Sequence, residues 1–333
     1  PKMYKRNGWY YIFAPAGGVK TGWQTVLRSK NVFGPYEYKV VMRQGDSPVN
    51  GPHQGAWVDT VTGQDWFIHF QDKGPYGRVC HLQPVDWSSG WPVMGNAGEP
   101  YWKFRKPKSD SKTIVNPVET DEFDSSKLGM QWQWQNDYKE SYGQATSMGF
   151  FRLFTYALPE LGDVSNLWYV PNMLLQKTPA DEFTATTKLS FCSRNSDQYV
   201  GLVCMSAEYS SVGMQRTEDG YELQIRHNPN AMRTHLTDEV LTVDTLKPTQ
   251  KGTPRKGRPA EMHIKDVYLR MSIKDSKVNY AYSIDGKKWK KAGGEYAMGK
   301  GRWIGSKIGF FAVDPNKTGR KGFIDIDWFR ISR

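Results

Sequence analysis

The sequence predicts an all-β protein in two parts, a pair of propeller-blade units followed by a β-sandwich. Three observations carry this. A strand–loop–strand unit recurs 57 positions on, from Trp9 to Trp66. A Lys-, Pro- and Ser-rich stretch follows the second copy. Beyond it come many short alternating strands separated by hairpin signals, with no long helical pattern between them. At 333 residues the chain is long enough for two domains, each with its own core.

In chain order, Lys5-Arg6-Asn7-Gly8 is a turn signal, and Trp9-Tyr10-Tyr11-Ile12-Phe13 has the aromatic and β-branched content of a strand. Thr62-Gly63-Gln64-Asp65 leads in the same way into Trp66-Phe67-Ile68-His69-Phe70. After each run come a Gly-rich loop, a further strand (residues 23–28 and 77–82) and an aromatic turn, Phe33-Gly34-Pro35 or Gly90-Trp91-Pro92. A unit of about 50 to 60 residues built from short strands has the period of a propeller blade, and two copies cannot close a ring. Residues 1–108 are therefore assigned to blades, 109–118 to a linker within the Lys-, Pro- and Ser-rich stretch, and 119–333 to the sandwich. Its strands include residues 184–191, 199–205, 221–225 and 267–273, with hairpin signals at Glu218-Asp219-Gly220 and Asp285-Gly286. Residues 308–314 read as a further core strand ending in a loop.

Composition narrows the function classes. Aromatics make up 14%, with 13 Trp and 18 Tyr, while the mean hydropathy is −0.66. The apolar material is thus concentrated in large amphipathic rings, which stack on sugar faces and also build ordinary β cores. The formal charge is +11, yet the basic residues are scattered. The strongest cluster, residues 254–259, lies in a Gly- and Pro-marked loop, so neither a nucleic-acid footprint nor a polybasic membrane segment is indicated. Cys80, Cys192 and Cys204 lack the paired spacing of a zinc site and imply no disulfide framework. No apolar run approaches the roughly 20 residues that span a bilayer.

Taken together, residues 1–11, 28–37 (RSKNVFGPYE), Gly51-Pro52-His53-Gln54-Gly55 and residues 86–92 (DWSSGWP) resemble glycoside hydrolase family 43, the β-xylosidase and α-L-arabinofuranosidase group. In order, these stretches resemble the last two blades of that family's five-bladed catalytic propeller. The domain after the linker resembles its C-terminal concanavalin A-like sandwich, down to the closing run at residues 323–329. The resemblance covers almost the whole chain and implies a partial five-bladed β-propeller followed by a concanavalin A-like β-sandwich.

The resemblance also implies roles for particular residues. The His of the HQG-type motif, here His53, points in family members into the central channel and helps hold a hydrated metal, usually calcium. Gly51 and Gly55 let the backbone approach that channel. A neutral imidazole presents a lone pair to a cation, whereas a lone His beside Pro52 without the resemblance is read as a hydrogen-bonded structural residue. Arg78 matches an arginine aimed at sugar hydroxyls, a task that suits a guanidinium fork; its plain alternative is a surface arginine after a glycine turn. The loop at residues 14–23, with Thr21 and Trp23, is expected to line the pocket mouth, although Trp23 equally fits a gap between blades. In the sandwich, Trp132 and Trp134 alternate with glutamines. Exposed they make a carbohydrate platform, and buried they are core.

An inverting glycosidase needs a carboxylic acid and a carboxylate roughly 6.5–9.5 Å apart. The family places its acid in a Glu-Gly-Pro segment ahead of the tyrosine-rich strand, and this chain begins at that Pro. No catalytic carboxylate is therefore assigned to Asp46, Asp59, Asp65, Asp72 or Asp86. The expectation is a portion of a glycosidase acting on xylan-, arabinoxylan- or xyloglucan-derived oligosaccharide. Its N-terminal blades would come from the same precursor or a second chain, and this chain alone would be inactive. A non-catalytic carbohydrate-binding protein is the rival reading.

Overall fold

The computed structural model describes residues 1–109, 111–113, 115–158, 166–233, 236–301, 303–316 and 319–333. Asp110 and Ile114, in the expected linker, lie outside the described residues. The chain divides into two compact units, Pro1–Val115 and Asn116–Arg333. Among the described residues no helix is long and apolar enough to cross a membrane.

The first unit holds two antiparallel four-stranded sheets. One is formed in order by β1 (Lys2–Arg6), β2 (Trp9–Ala16), β3 (Trp23–Ser29) and β4 (Glu37–Met42). The other is formed by β5 (His53–Asp59), β6 (Asp65–Asp72), β7 (Arg78–Asp86) and β8 (Val93–Met94). The repeat in the sequence is thus a repeat of blades, since β2 and β6, which carry Trp9 and Trp66, are each the second strand of their sheet. The blades share one core of Tyr11, Phe13, Val26, Met42, Phe67 and Met94.

Two arginines of the first blade are clamped by rings of the second. Arg6 Cζ lies 5.3 Å and 4.8 Å from the centroids of Trp57 and Trp87. Its fork donates to both oxygens of Asp65, which also accepts from Trp57 Nε1 at 2.8 Å. Arg28 Cζ lies 4.1 Å from Trp91 of the second blade and 4.7 Å from Trp9, and its Nη1 donates to Gly90 O at 2.7 Å. Partly desolvated cation–ring contacts of this kind contribute about 1–2 kcal/mol each.

The second unit is a sandwich. Its early strands are β9 (Gln133–Trp134), β10 (Gly143–Ala145), β11 (Phe151–Phe154), β12 (Tyr156–Ala157) and β13 (Leu174–Lys177). There follow β14 (Phe183–Ser193), β15 (Tyr199–Met205), β16 (Tyr209–Arg216), β17 (Tyr221–Asn228), β18 (Glu239–Leu246) and β19 (Gln250–Lys251). The last five are β20 (Met262–Lys274), β21 (Lys277–Ser283), β22 (Lys290–Ala297), β23 (Lys307–Asp314) and β24 (Phe323–Ser332). One sheet runs β10-β11-β24-β14-β20-β21-β22 with β19 beside β20, and the other runs β18-β17-β16-β15-β23-β13-β9 with β12 beside β23. The strands expected from alternation fall within β14, β15, β17 and β20, and residues 308–314 fall in β23.

Between the sheets, Phe191 meets Tyr221 at 5.3 Å, Phe310 meets Phe329 at 5.5 Å, and Tyr280 OH donates to Ser210 O at 2.7 Å. The second sheet is also covered on its far face, where Leu167, Val170 and Met173 pack on Tyr199, Val203, Phe311 and Val313. β15 is consequently buried along its whole length, the pattern of a strand with both faces covered.

Trp132 belongs to the core. It stacks on Phe123 at 5.6 Å, stands edge-on to Phe329 at 5.3 Å, and donates Nε1–H to Asp121 Oδ2 at 2.7 Å. Trp134 is half-buried beside Tyr138 and Tyr142. Trp132→Ala is expected to destabilise the sandwich by about 3–5 kcal/mol, read from denaturant midpoints, whereas Trp134→Ala costs clearly less because its site is already partly open to water.

Candidate functional site

Two turns of the first unit come into contact. One joins β2 to β3 across residues 17–22, and the other precedes β5. Gly51 has φ 53°, and a Cβ there would stand 2.2 Å from the Val19 carbonyl oxygen. A Cβ on Gly22 would stand 2.6 Å from His53 Cδ2. Only glycine allows both approaches. Polar bonds fix the contact: Asn50 Nδ2 donates to Lys20 O at 3.2 Å, and the Gln54 N–H donates to Gln24 Oε1 at 3.1 Å. Within the first turn, Thr21 Oγ1 donates to Gly17 O at 2.8 Å, and the half-exposed Trp23 ring lies against Gly17.

His53 is only 4% exposed, and its Nδ1 lies 2.9 Å from Gly51 O. A carbonyl only accepts, so Nδ1 carries a proton and donates it, and in the neutral tautomer this bond selects, the lone pair falls on Nε2. Nε2 makes no hydrogen bond among the described residues. This tautomer fits a cation or its hydration water at Nε2, with one nitrogen supplied by the described residues here. The Phe70 ring lies 5.8 Å from His53, and Arg78 Cζ sits 4.6 Å above that same ring. The Arg78 fork makes no ion pair or hydrogen bond among the described residues. The four expected residues are thus linked as a chain of neighbours: Thr21 and Trp23 flank Gly22, whose backbone abuts His53, and the Phe70 ring neighbours both His53 and Arg78. No hydrogen bond or ring contact joins the Thr21 or Trp23 side chain directly to His53 or Arg78 among the described residues.

Sequence reasoning missed a pair of histidines. His69 and His81 are register partners on β6 and β7, and their rings stack at 5.5 Å, with Phe67 on the other side of His69 at 5.8 Å. His69 Nδ1 lies 3.2 Å from Phe70 O, and its buried Nε2 has no partner. Burial pushes His69 down to about 4, helped by the nearby His81 and His53, so it is neutral around pH 7. Burial and Lys73 lower His81 as well, and its Nε2 meets Gln71 Oε1 at 3.1 Å. The signal was the cross-strand pairing, which requires the register to be known.

The carboxylates of this unit are largely committed to structure. Asp65 is held by Arg6 and Trp57, Asp72 accepts from Gly74 N at 3.2 Å, and Asp86 accepts from the Ser88 backbone at 2.9 Å and hydroxyl at 2.8 Å. Those turn bonds to Ser88 draw the exposed Asp86 carboxyl below its usual range.

Comparison with known proteins identifies the two units. Residues 1–92 match Glycosyl hydrolases family 43, and residues 120–332 match the Beta xylosidase C-terminal Concanavalin A-like domain. A Xylanibacter ruminicola protein is 36% identical over 315 residues, covering 92% of this chain and 54% of its own length. A Formosa agariphila beta-xylosidase is 29% identical over 371 residues, covering 98% of this chain and 58% of its own. The crystal structure of the GH43 BlXynB protein from Bacillus licheniformis, at 25% identity, superposes with TM-score 0.81 over 99% of this chain and 64% of that one. The chain therefore spans little more than half the length of these curated relatives. Paired blades at the front and a concanavalin-type sandwich behind, each matched in its own right, make this chain a member of glycoside hydrolase family 43.

Proposed function

We propose that the chain works as part of an inverting glycosidase that releases α-L-arabinofuranosyl or β-D-xylosyl units from plant hemicellulose. Further propeller blades would supply the catalytic carboxylates. The observation that carries this reading is the patch joining Thr21, Trp23, His53 and Arg78 in a unit matched to the family's catalytic domain. Such a patch has the parts of a sugar site: a ring face, a hydroxyl that can still accept while it donates to Gly17 O, and a guanidinium fork, suited to vicinal oxygens, that is unpaired among the described residues. One relative is a non-reducing end alpha-L-arabinofuranosidase of Bacteroides ovatus, 25% identical over 301 residues, and the Formosa relative is a beta-xylosidase. Both names support this substrate class.

Within this reading Arg78 orients the sugar through its free fork, and the Trp23 ring covers one sugar face. His53 would help to hold a hydrated calcium ion through water, its Nε2 accepting a hydrogen bond from one of the ion's water ligands. When bound, that ion would add positive charge near the sugar site and bias the carboxylates around it. The neutral His69, stacked nearby, adds no competing charge.

Further blades also answer a physical need. By strand alternation Ile68, Phe70, Cys80 and Leu82 share one face of the second blade, and Ile68 is 42% and Leu82 37% exposed. A contiguous apolar face of this kind is a surface for another sheet.

Three outcomes test the proposal. The 333-residue chain alone is expected to give no turnover of aryl xylosides or arabinofuranosides above background, because losing one general acid already removes roughly 10²–10⁴-fold of rate. In the enzyme assembled with its remaining blades, Arg78→Ala is expected to weaken sugar binding by about 1.5–3 kcal/mol, with calcium content by elemental analysis unchanged. His53→Ala is expected to lower both calcium content and turnover while the melting temperature falls little. Full occupancy and wild-type turnover in His53→Ala would make the histidine structural. An assembled protein that binds xylo-oligosaccharides without cleaving them would mark a binding protein instead.

A further inference from the structure

The sandwich contains a cluster that the glycosidase reading does not use. Cys192 on β14 and His263 on β20 are register partners, and Glu261 lies just before β20. Cys192 Sγ is 3.4 Å from His263 Nε2, and Glu261 Oε1 is 2.8 Å from that same nitrogen. One donor atom from each residue lies within 4.8 Å of the others, an arrangement found once among the described residues.

The shape of the cluster matters. A proton relay through histidine uses both ring nitrogens, one towards the nucleophile and one towards the carboxylate. Here the thiol and the carboxylate converge on a single nitrogen, and one N–H cannot serve both well. A convergent triangle of sulfur, imidazole nitrogen and carboxylate oxygen has the form of a coordination face. Donor atoms around a tetrahedral zinc, at bond lengths of about 2.0–2.3 Å, stand roughly 3.3–3.7 Å apart; the Cys192–His263 separation of 3.4 Å falls in that range, whereas the 2.8 Å between Glu261 and His263 is a hydrogen bond that opens when the ion enters.

The surroundings agree with that form. The other carboxylate oxygen, Glu261 Oε2, accepts from Arg194 Nε at 2.7 Å, so Oε1 is held facing the cluster in the way that outer partners orient metal ligands. Cys192 is buried, whereas the Glu261 and His263 side chains are 39% and 30% exposed, which gives an ion a way in and a place for a water ligand. Thiolate and carboxylate together balance a divalent charge. A set with sulfur and imidazole favours zinc over the hard cations calcium and magnesium.

We propose that Cys192, Glu261 and His263 form a zinc-binding site in the sandwich, with water as the fourth ligand, separate from the sugar patch of the first unit. On binding, zinc displaces the thiol proton to solvent; the proton that Nε2 shares with Glu261 is given up to solvent as the ring takes its Nδ1–H tautomer, which frees the Nε2 lone pair for the ion. The ion then cross-links β14 to the start of β20.

The test uses the 333-residue chain stripped with a chelator and titrated with zinc chloride alone by calorimetry, then with cobalt(II) by absorbance. One zinc per chain and a near-ultraviolet thiolate-to-cobalt band are expected. Cys192→Ser and His263→Gln should each weaken zinc uptake roughly tenfold or more and abolish or reduce the band. His53→Ala should leave both readouts unchanged, so that failure here and failure of the calcium reading remain distinguishable. Circular dichroism identifies any variant that does not fold. Should Cys192→Ser be lost in that way, the half-exposed His263→Gln decides. No zinc uptake at micromolar concentration, no cobalt–thiolate band, or uptake unchanged in folded His263→Gln would each overturn the proposal.

Discussion

Contact between two glycine turns is the constraint on which the first unit's site depends. With any side chain at Gly22 or Gly51, residues 17–22 and the turn before β5 would have to separate. His53 would then lose its packing, and its Nδ1–H could leave the Gly51 carbonyl that sets its tautomer. The chemistry of one imidazole nitrogen thus rests on backbone geometry in a turn 30 residues away in sequence. The same contact brings Thr21 and Trp23 to the patch, because they flank Gly22.

The arginine clamps hold the two blades in the arrangement this contact requires. Arg6 and Arg28 each reach from the first blade into rings of the second, and each also makes hydrogen bonds that a hydrophobic residue could not. Burying a charge is costly unless it is paired: Asp65 pairs with Arg6, whose Nε stays without a hydrogen bond among the described residues, and Arg28 pairs with Glu37 at 2.6 Å besides donating to the Gly90 carbonyl. They fix orientation as well as proximity, since a guanidinium fork bonded to a carboxylate tolerates little rotation.

Much of this architecture was legible in the sequence because periodicity reports local geometry. The repeat from Trp9 to Trp66 marked the second strand of each blade, and alternation located β14, β15, β17 and β20. The Trp132 and Trp134 pair was legible as two rings on one side: Trp132 meets Phe310, and Trp134 is the register partner of Leu174, which pairs with Phe310, so both face the space between the sheets; only their burial, which separates core from platform, needed the structure. Cross-strand partnerships were illegible altogether. His69 with His81, and Cys192 with His263, become neighbours only through register, and the scan for paired cysteine spacing had no means of finding a site built across two strands. Thr21, Trp23, His53 and Arg78 were named singly from resemblance; that they share a patch required the turn contact and the Phe70 ring.

The position of β23 and β24 has a consequence for how the sandwich is made. β24 lies between β11 and β14, where Arg152 and Asp325 form a two-pronged bond at 2.7 Å and 2.8 Å, and β23 lies between β15 and β13. Strands synthesised after residue 306 are therefore interior to both sheets. While a ribosome is still making the chain, β11 and β14, or β13 and β15, have no direct partner in each other. Their apolar faces stay unpaired until residues 307–332 emerge. Assembly of this unit therefore waits for β23 and β24, and a nascent chain stalled before them would present two incomplete sheets to the chaperones that meet it.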